Sequence, residues 1–138
     1  MREAGIEAIV ERETVVACTP DEAWRWWTEP DRLVRWMGSV AELDLRPGGA
    51  IRISYANGAV MAGELVSLDP PRRLEFTWGW EDPAEVVRPG GSSVEVAFHS
   101  VDGGTLVVVR HRGLPDDERA GHAEGWDYFL ERLGGVTG

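Results

Sequence analysis

The chain has 138 residues, 43% of them hydrophobic and 28% charged, and a formal net charge of −10 at pH 7. That length and composition suit one globular domain over residues 1–138 with its own core, and argue against a disordered chain. The charge opposes the phosphate field of nucleic acid and an anionic bilayer surface. No apolar run approaches the roughly 18 residues of a membrane span, so neither nucleic acid nor membrane is an expected partner.

Cys18 is the single cysteine, which excludes an internal disulfide and any CxxC zinc site. All 14 basic residues are arginine. Met1 to Glu13 carries four glutamates and no apolar run, so no signal peptide is expected and the reading is a soluble, cytoplasmic protein. The seven tryptophans are well above a usual share, and rings of that size need a core or a cavity to occupy.

Ile6 to Cys18, β-branched and mixed with charge, reads as a strand. Thr19 caps a short helix, with Pro20 at its first position, Glu22 completing a capping box, and Ala23, Trp24 and Trp27 following. Thr28-Glu29-Pro30 repeats the start signal for a second short helix carrying Leu33, Val34 and Trp36 and ended by Gly38. Strands follow at Val40–Leu45, Ala50–Tyr55, Val60–Leu68 and Arg73–Trp80, separated by Pro47-Gly48-Gly49, the hairpin signal Asn57-Gly58, and Asp69-Pro70-Pro71. In the last of these, Leu74, Phe76, Trp78 and Trp80 share a face. Glu81–Gly91 reads as a loop, and Ser93–Ser100 and Thr105–Arg112 as a hairpin around Asp102-Gly103. Pro115–Leu133 has the spacing of a helix with a stripe of Ala123, Trp126, Phe129, Leu130 and Leu133, ended by Gly134-Gly135. Consecutive strands with short turns and one terminal helix predict an α+β fold in which an antiparallel sheet curves around that helix.

Several segments resemble the activator-of-Hsp90-ATPase-homologue-like family of the START-like, helix-grip superfamily (SRPBCC). These are Trp24 with Thr28-Glu29-Pro30, Leu33 and Trp36; the Pro47-Gly48-Gly49 turn; and Gly63 followed by Asp69-Pro70-Pro71-Arg72-Arg73-Leu74-Glu75-Phe76-Thr77-Trp78. Thr105 through His111-Arg112-Gly113-Leu114-Pro115 and His122, Gly125, Trp126, Leu130 and Leu133 continue the likeness in order along nearly the whole chain. Met37 stands where the family commonly has a second Trp or Phe, and Trp26-Trp27 where smaller residues are common. The resemblance implies a seven-stranded antiparallel sheet gripping a long C-terminal helix, with a cavity that holds hydrophobic ligands in many relatives. It does not imply a reaction.

Aromatic rings from separate segments suit a planar or apolar ligand, and Trp36, Trp78, Trp80 and Trp126 are the leading candidates, with Tyr55 and Phe76 beside them. Met37 is a flexible residue for the rim. Glu64 is a candidate inward polar anchor, whereas Arg110, out of phase with His111, faces solvent. His111 and His122 are expected near the sheet–helix junction, either as ligand contacts or bonded within the fold. If Asp102-Gly103 is a two-residue turn, His99 points away from His111 and the three histidines cannot share a metal, so neither metal nor cofactor is expected. Cys18 reads as a buried structural thiol. The cavity is expected between the short helices carrying Trp36, the strand end at Trp78 and Trp80, and the start of the last helix.

These residues support a non-catalytic domain that binds an apolar or aromatic small molecule, neutral or cationic given the net charge, as a monomer or homodimer. An enzyme like the polyketide aromatase/cyclases, using His111, Tyr55 or Glu64, and a partner-binding domain like the Hsp90 co-chaperone are the alternatives.

Overall fold

The structure is a computed structural model that describes residues 8–137. Seven strands, Val10–Val16 (β1), Val40–Leu43 (β2), Ala50–Ser54 (β3), Val60–Asp69 (β4), Arg73–Trp80 (β5), Ser92–Val101 (β6) and Gly104–Arg112 (β7), form one antiparallel sheet. Their order is β1-β7-β6-β5-β4-β3-β2. Three helices, Pro20–Thr28 (α1), Pro30–Leu33 (α2) and Asp116–Thr137 (α3), complete the helix-grip architecture that the resemblance implies. The part of the first predicted strand that precedes residue 8 lies outside the described residues.

The β6–β7 hairpin has the register that a two-residue Asp102-Gly103 turn predicts. Val101 pairs with Gly104, Phe98 with Val107 and Val94 with His111. His99 is exposed on the outer face and His111 is fully buried on the inner one. Arg110 likewise points outward, bonded to Glu11 at 2.6 Å, and Glu95 sits beside it among Arg73 and Arg112.

Local signals place most helix ends. The Thr19 hydroxyl accepts from the Glu22 N–H at 3.3 Å, but the Glu22 carboxylate goes to Arg25 and Arg32 instead of back to Thr19, so the capping box is half made. Residues 34–36 are turns and not a continuation of α2. The long helix departs from expectation at its end, running through Gly134-Gly135 to Thr137. Leu133 is buried, Val136 packs on the core, and the Thr137 hydroxyl donates to the Leu133 carbonyl at 2.7 Å. Packing at those sites outweighs the roughly 1 kcal/mol that each glycine costs a helix.

The core joins three layers of aromatic rings. Trp24 and Trp27 of α1 lie over Phe98 of β6, with centroids 5.9 and 6.4 Å away. Trp27 also stacks on Trp126 of α3 at 6.1 Å and 27°, and Trp126 in turn lies 5.3 Å from Trp78 of β5. Leu130 and Leu133 belong to the same buried cluster as Phe76, Phe98, Val107 and Val109.

At the centre the Trp126 indole N–H donates to His111 Nδ1 at 3.1 Å. An indole nitrogen can only donate, so Nδ1 carries the lone pair and the proton sits on Nε2. Nε2 donates to the Ser92 hydroxyl at 2.9 Å, which donates to the Trp78 carbonyl at 2.8 Å. Every polar atom in this Trp126–His111–Ser92 series is paired, and the imidazole is neutral. Burial, with a smaller contribution from His122, pushes its pKa from 6.5 to about 3.

Two predictions follow from this core. Trp126→Ala removes a ring from three neighbours and a donor from His111, and should cost about 3–5 kcal/mol in urea unfolding; a loss below about 1 kcal/mol would mean that the sheet does not grip the helix. His111 binds a proton in the unfolded chain below pH 6.5 but not in the folded one until about pH 3. Its contribution is therefore whole above pH 6.5 and declines on acidification through that window, by up to about 1.4 kcal/mol per pH unit. Urea midpoints at pH 7.5, 6 and 5 should fall for the wild type. His111→Asn should start lower at pH 7.5 and change less between pH 6.5 and 5; parallel declines in the two proteins would refute the buried neutral imidazole.

Candidate functional site

At one end of the sheet the β3–β4 hairpin, the end of β5, the segment after it and the first half of α3 enclose a cavity of about 830 Å³. Trp78, Trp80 and Trp126 form its floor, with Tyr55 and Phe129 as side walls. The Tyr55 ring bridges the two sides, 5.7 Å from Trp80 and 5.6 Å from Phe129. Glu81, Asp82 and Glu85 border it on one side and Glu118 on the other.

Local sequence explains each wall. Period two puts Trp78 and Trp80 on the inner face of β5. A Cβ at the intervening Gly79 would fall 1.9 Å from the Arg88 carbonyl oxygen, so only glycine lets the 81–91 loop fold back flush against the strand. The loop is pinned by the Trp80 N–H donating to Val87 at 2.7 Å and by the Arg88 guanidinium donating to the carbonyls of Trp80 and Asp82 at 3.0 and 2.6 Å. Arg52 holds Glu81 through two bonds of 2.8 and 3.0 Å, which keep that carboxyl below its ordinary pKa. The Asn57-Gly58 hairpin is wider than a two-residue turn, because Ser54 pairs with Val60. Gly58 takes φ +91° and the Ala59 N–H bonds the Asn57 side chain at 2.9 Å, leaving Tyr55 at the cavity.

Helix α3 contributes empty space as well as rings. Gly121 and Gly125, one turn apart, both line the cavity, and a Cβ at either would meet nothing within 4 Å. Between them His122 receives the Trp80 indole N–H on Nε2 at 3.2 Å and donates from Nδ1 to the Glu118 carbonyl at 2.8 Å. By contrast the Trp78 indole N–H and the Tyr55 hydroxyl, both buried, have no hydrogen-bond partner among the described residues. Burial raises the Tyr55 pKa, so its hydroxyl keeps its proton.

Of the residues singled out in the sequence, Tyr55, Trp78, Trp80, His122 and Trp126 stand on the cavity wall. His111 lies behind Trp78 and Trp126, fully buried, with both nitrogens bonded. Phe76 is one step further along β5, covered by Trp78 at 6.4 Å. Glu64 is exposed on the outer face, because Met61 and Leu65 turn inward and fix the parity of β4. Trp36 and Met37 are core residues and not a rim: both are at most 1% exposed, and the Trp36 indole donates to the Trp26 carbonyl at 2.9 Å.

Topology places Trp36 and Met37 away from the cavity. Val16 pairs with Thr105 at the start of β7, so the short helices after β1 lie at the β6–β7 turn. The 81–91 loop and the start of α3 lie at the other end. The cavity is therefore closed by the β3–β4 hairpin where the short helices were expected. Gly121 and Glu118 were not singled out from the sequence, and Gly125 entered only through the family likeness and not as a cavity residue. The available signal was a pair of glycines one turn apart inside a helix that gains nothing locally from them. Cys18 is half-buried and not fully buried as expected, and burial raises its pKa.

The comparisons with known proteins agree with this architecture. Residues 17–138 match the family described as Activator of Hsp90 ATPase homolog 1-like protein. The solution NMR structure of the AHSA1-like protein RHE_CH02687 from Rhizobium etli is 37% identical, with a TM-score of 0.75, over 99% of this chain and 86% of that one. The crystal structure of MLL2253 from Mesorhizobium loti is 25% identical, with a TM-score of 0.82, over 94% of this chain and 96% of that one. The Aha1 dimer from Colwellia psychrerythraea shares the fold at 17% identity and a TM-score of 0.80, over 94% and 96%. No curated protein matches the chain. No helix among the described residues is long and apolar enough to cross a membrane. By its family match, its 37% identical relative and its helix-grip fold, the chain belongs to the Activator of Hsp90 ATPase homolog 1-like family.

Proposed function

We propose that the protein is a small-molecule binding domain whose cavity receives an apolar or aromatic ligand without covalent chemistry. The observation that carries this reading is the pair Gly121 and Gly125, which face open space above the tryptophan floor. Each costs α3 about 1 kcal/mol relative to alanine, and neither is needed for close packing, so the space itself is what they preserve. Aromatic walls suit a ligand that is mostly apolar and needs few anchors. Reaction chemistry is less well supported, because His111 and His122 have both ring nitrogens occupied by neighbours and Tyr55 keeps its proton. The free Cys18 thiol suits a reducing compartment, and we assign the protein to the cytoplasm.

The neutral dye N-phenyl-1-naphthylamine should bind the native protein with enhanced emission and quench tryptophan fluorescence. Gly125→Phe, with a Cβ free of contacts and a ring directed into the cavity, should weaken the dye at least about tenfold without lowering the melting temperature. Trp80→Ala should weaken it by a factor of a few, since one aromatic contact is worth about 0.5–1.5 kcal/mol. Absence of binding to the folded protein, or undiminished binding to a folded Gly125→Phe variant, would overturn the proposal.

A further inference from the structure

We propose that the cavity selects a cation: an organic ammonium whose apolar or aromatic body rests on the tryptophan floor while its charge lies at the carboxylate-lined mouth. This rests on the small-molecule reading above and adds the sign of the ligand's charge.

The charged side chains lining the cavity are all carboxylates: Glu81, Asp82, Glu85 and Glu118. Two guanidinium groups lie near them. Arg52 is held by both oxygens of Glu81, and Arg88 is turned onto the carbonyls of Trp80, Glu81 and Asp82. Among the described residues, Asp82, Glu85 and Glu118 make no salt bridge to an arginine. Glu118 is the deepest of the three, its side chain 26% exposed, and His122 approaches it only with a nitrogen already donating to the backbone. An anionic ligand would face these carboxylates with no cation on the wall to receive it.

The floor suits the body of the same ligand: the rings of Trp78, Trp80, Tyr55 and Phe129 offer apolar contact, and the negative quadrupole density of their faces disfavours an anionic group laid on them. Asp82, Glu85 and Glu118 alone would be an acidic patch; bordering a cavity floored by Trp78, Trp80 and Trp126 they become the charged end of a binding site.

Three matched naphthalenes test this by displacement of N-phenyl-1-naphthylamine at pH 7: 1-naphthylmethylammonium, 1-naphthalenemethanol and 1-naphthoate. The ammonium should displace the dye at a concentration on the order of tenfold lower than the alcohol, with the carboxylate weakest. Raising NaCl to about 0.5 M should narrow the gap between ammonium and alcohol, because the mouth is open to solvent. The double variant Glu85→Gln, Glu118→Gln should also narrow it, by weakening the ammonium more than the alcohol. If alcohol and ammonium displace equally, or the double variant preserves the full gap, charge selection is wrong and the apolar-cavity reading stands. If neither the dye nor any of the three binds the folded protein, both readings fail together.

Discussion

The hydrogen bond from the Trp126 indole to His111 is the point on which helix, sheet and cavity all depend. It ties α3 to β7, and through Ser92 it ties both to the backbone of β5 beside Trp78. An indole cannot accept and a buried imidazole cannot afford a second proton, so the direction of every bond in the chain is fixed. The same two tryptophans then form the floor of the cavity. The polar pairing sits behind them and leaves only ring surface facing inward.

That arrangement separates rigidity from vacancy. Around Trp27, Trp36 and Phe98, at the β6–β7 turn end, rings fill the interior and α1 closes it. At the opposite end the wall is built from a wide hairpin, a pinned loop and a helix with glycines on its inner side, and none of these fills the space they surround. The Arg88 and Arg52 contacts matter because they hold the loop against β5 without placing a side chain in the cavity.

Strand identity, the β6–β7 register, the inward tryptophans of β5 and the stripe of α3 were legible because each is a local period or a tight turn. His99 and His111 could be assigned to opposite faces from the Asp102-Gly103 turn alone. What the sequence did not reveal depends on long-range placement. The position of Trp36 turns on which end of β7 pairs with Val16, a contact between residues far apart in the chain. Glu64 could be placed outside only once Met61 and Leu65 were known to be buried. The continuation of α3 past Gly134-Gly135 reflects tertiary burial of Leu133 and Val136, which overrides a sound local stop signal. Gly121 and Gly125 were unreadable for a related reason: a glycine facing a cavity and a glycine facing bulk water look alike until the opposite wall is in place.

The pairing of β1 with β7, and the filling of the sheet's concave side by α3, also constrain how the chain can be made. A ribosome releases β1 first, yet its partner strand is the last of the seven to emerge, and α3 follows after that. The meander from β2 to β6 can assemble through neighbouring hairpins, but until residues beyond 116 appear the part of its inner face that α1 does not reach has no cover. The nascent sheet thus passes through an interval in which Phe76 and Trp78 are uncovered together, while α1 is already available to shield Phe98. Any cellular factor that shields exposed strands would find those residues accessible until α3 emerges.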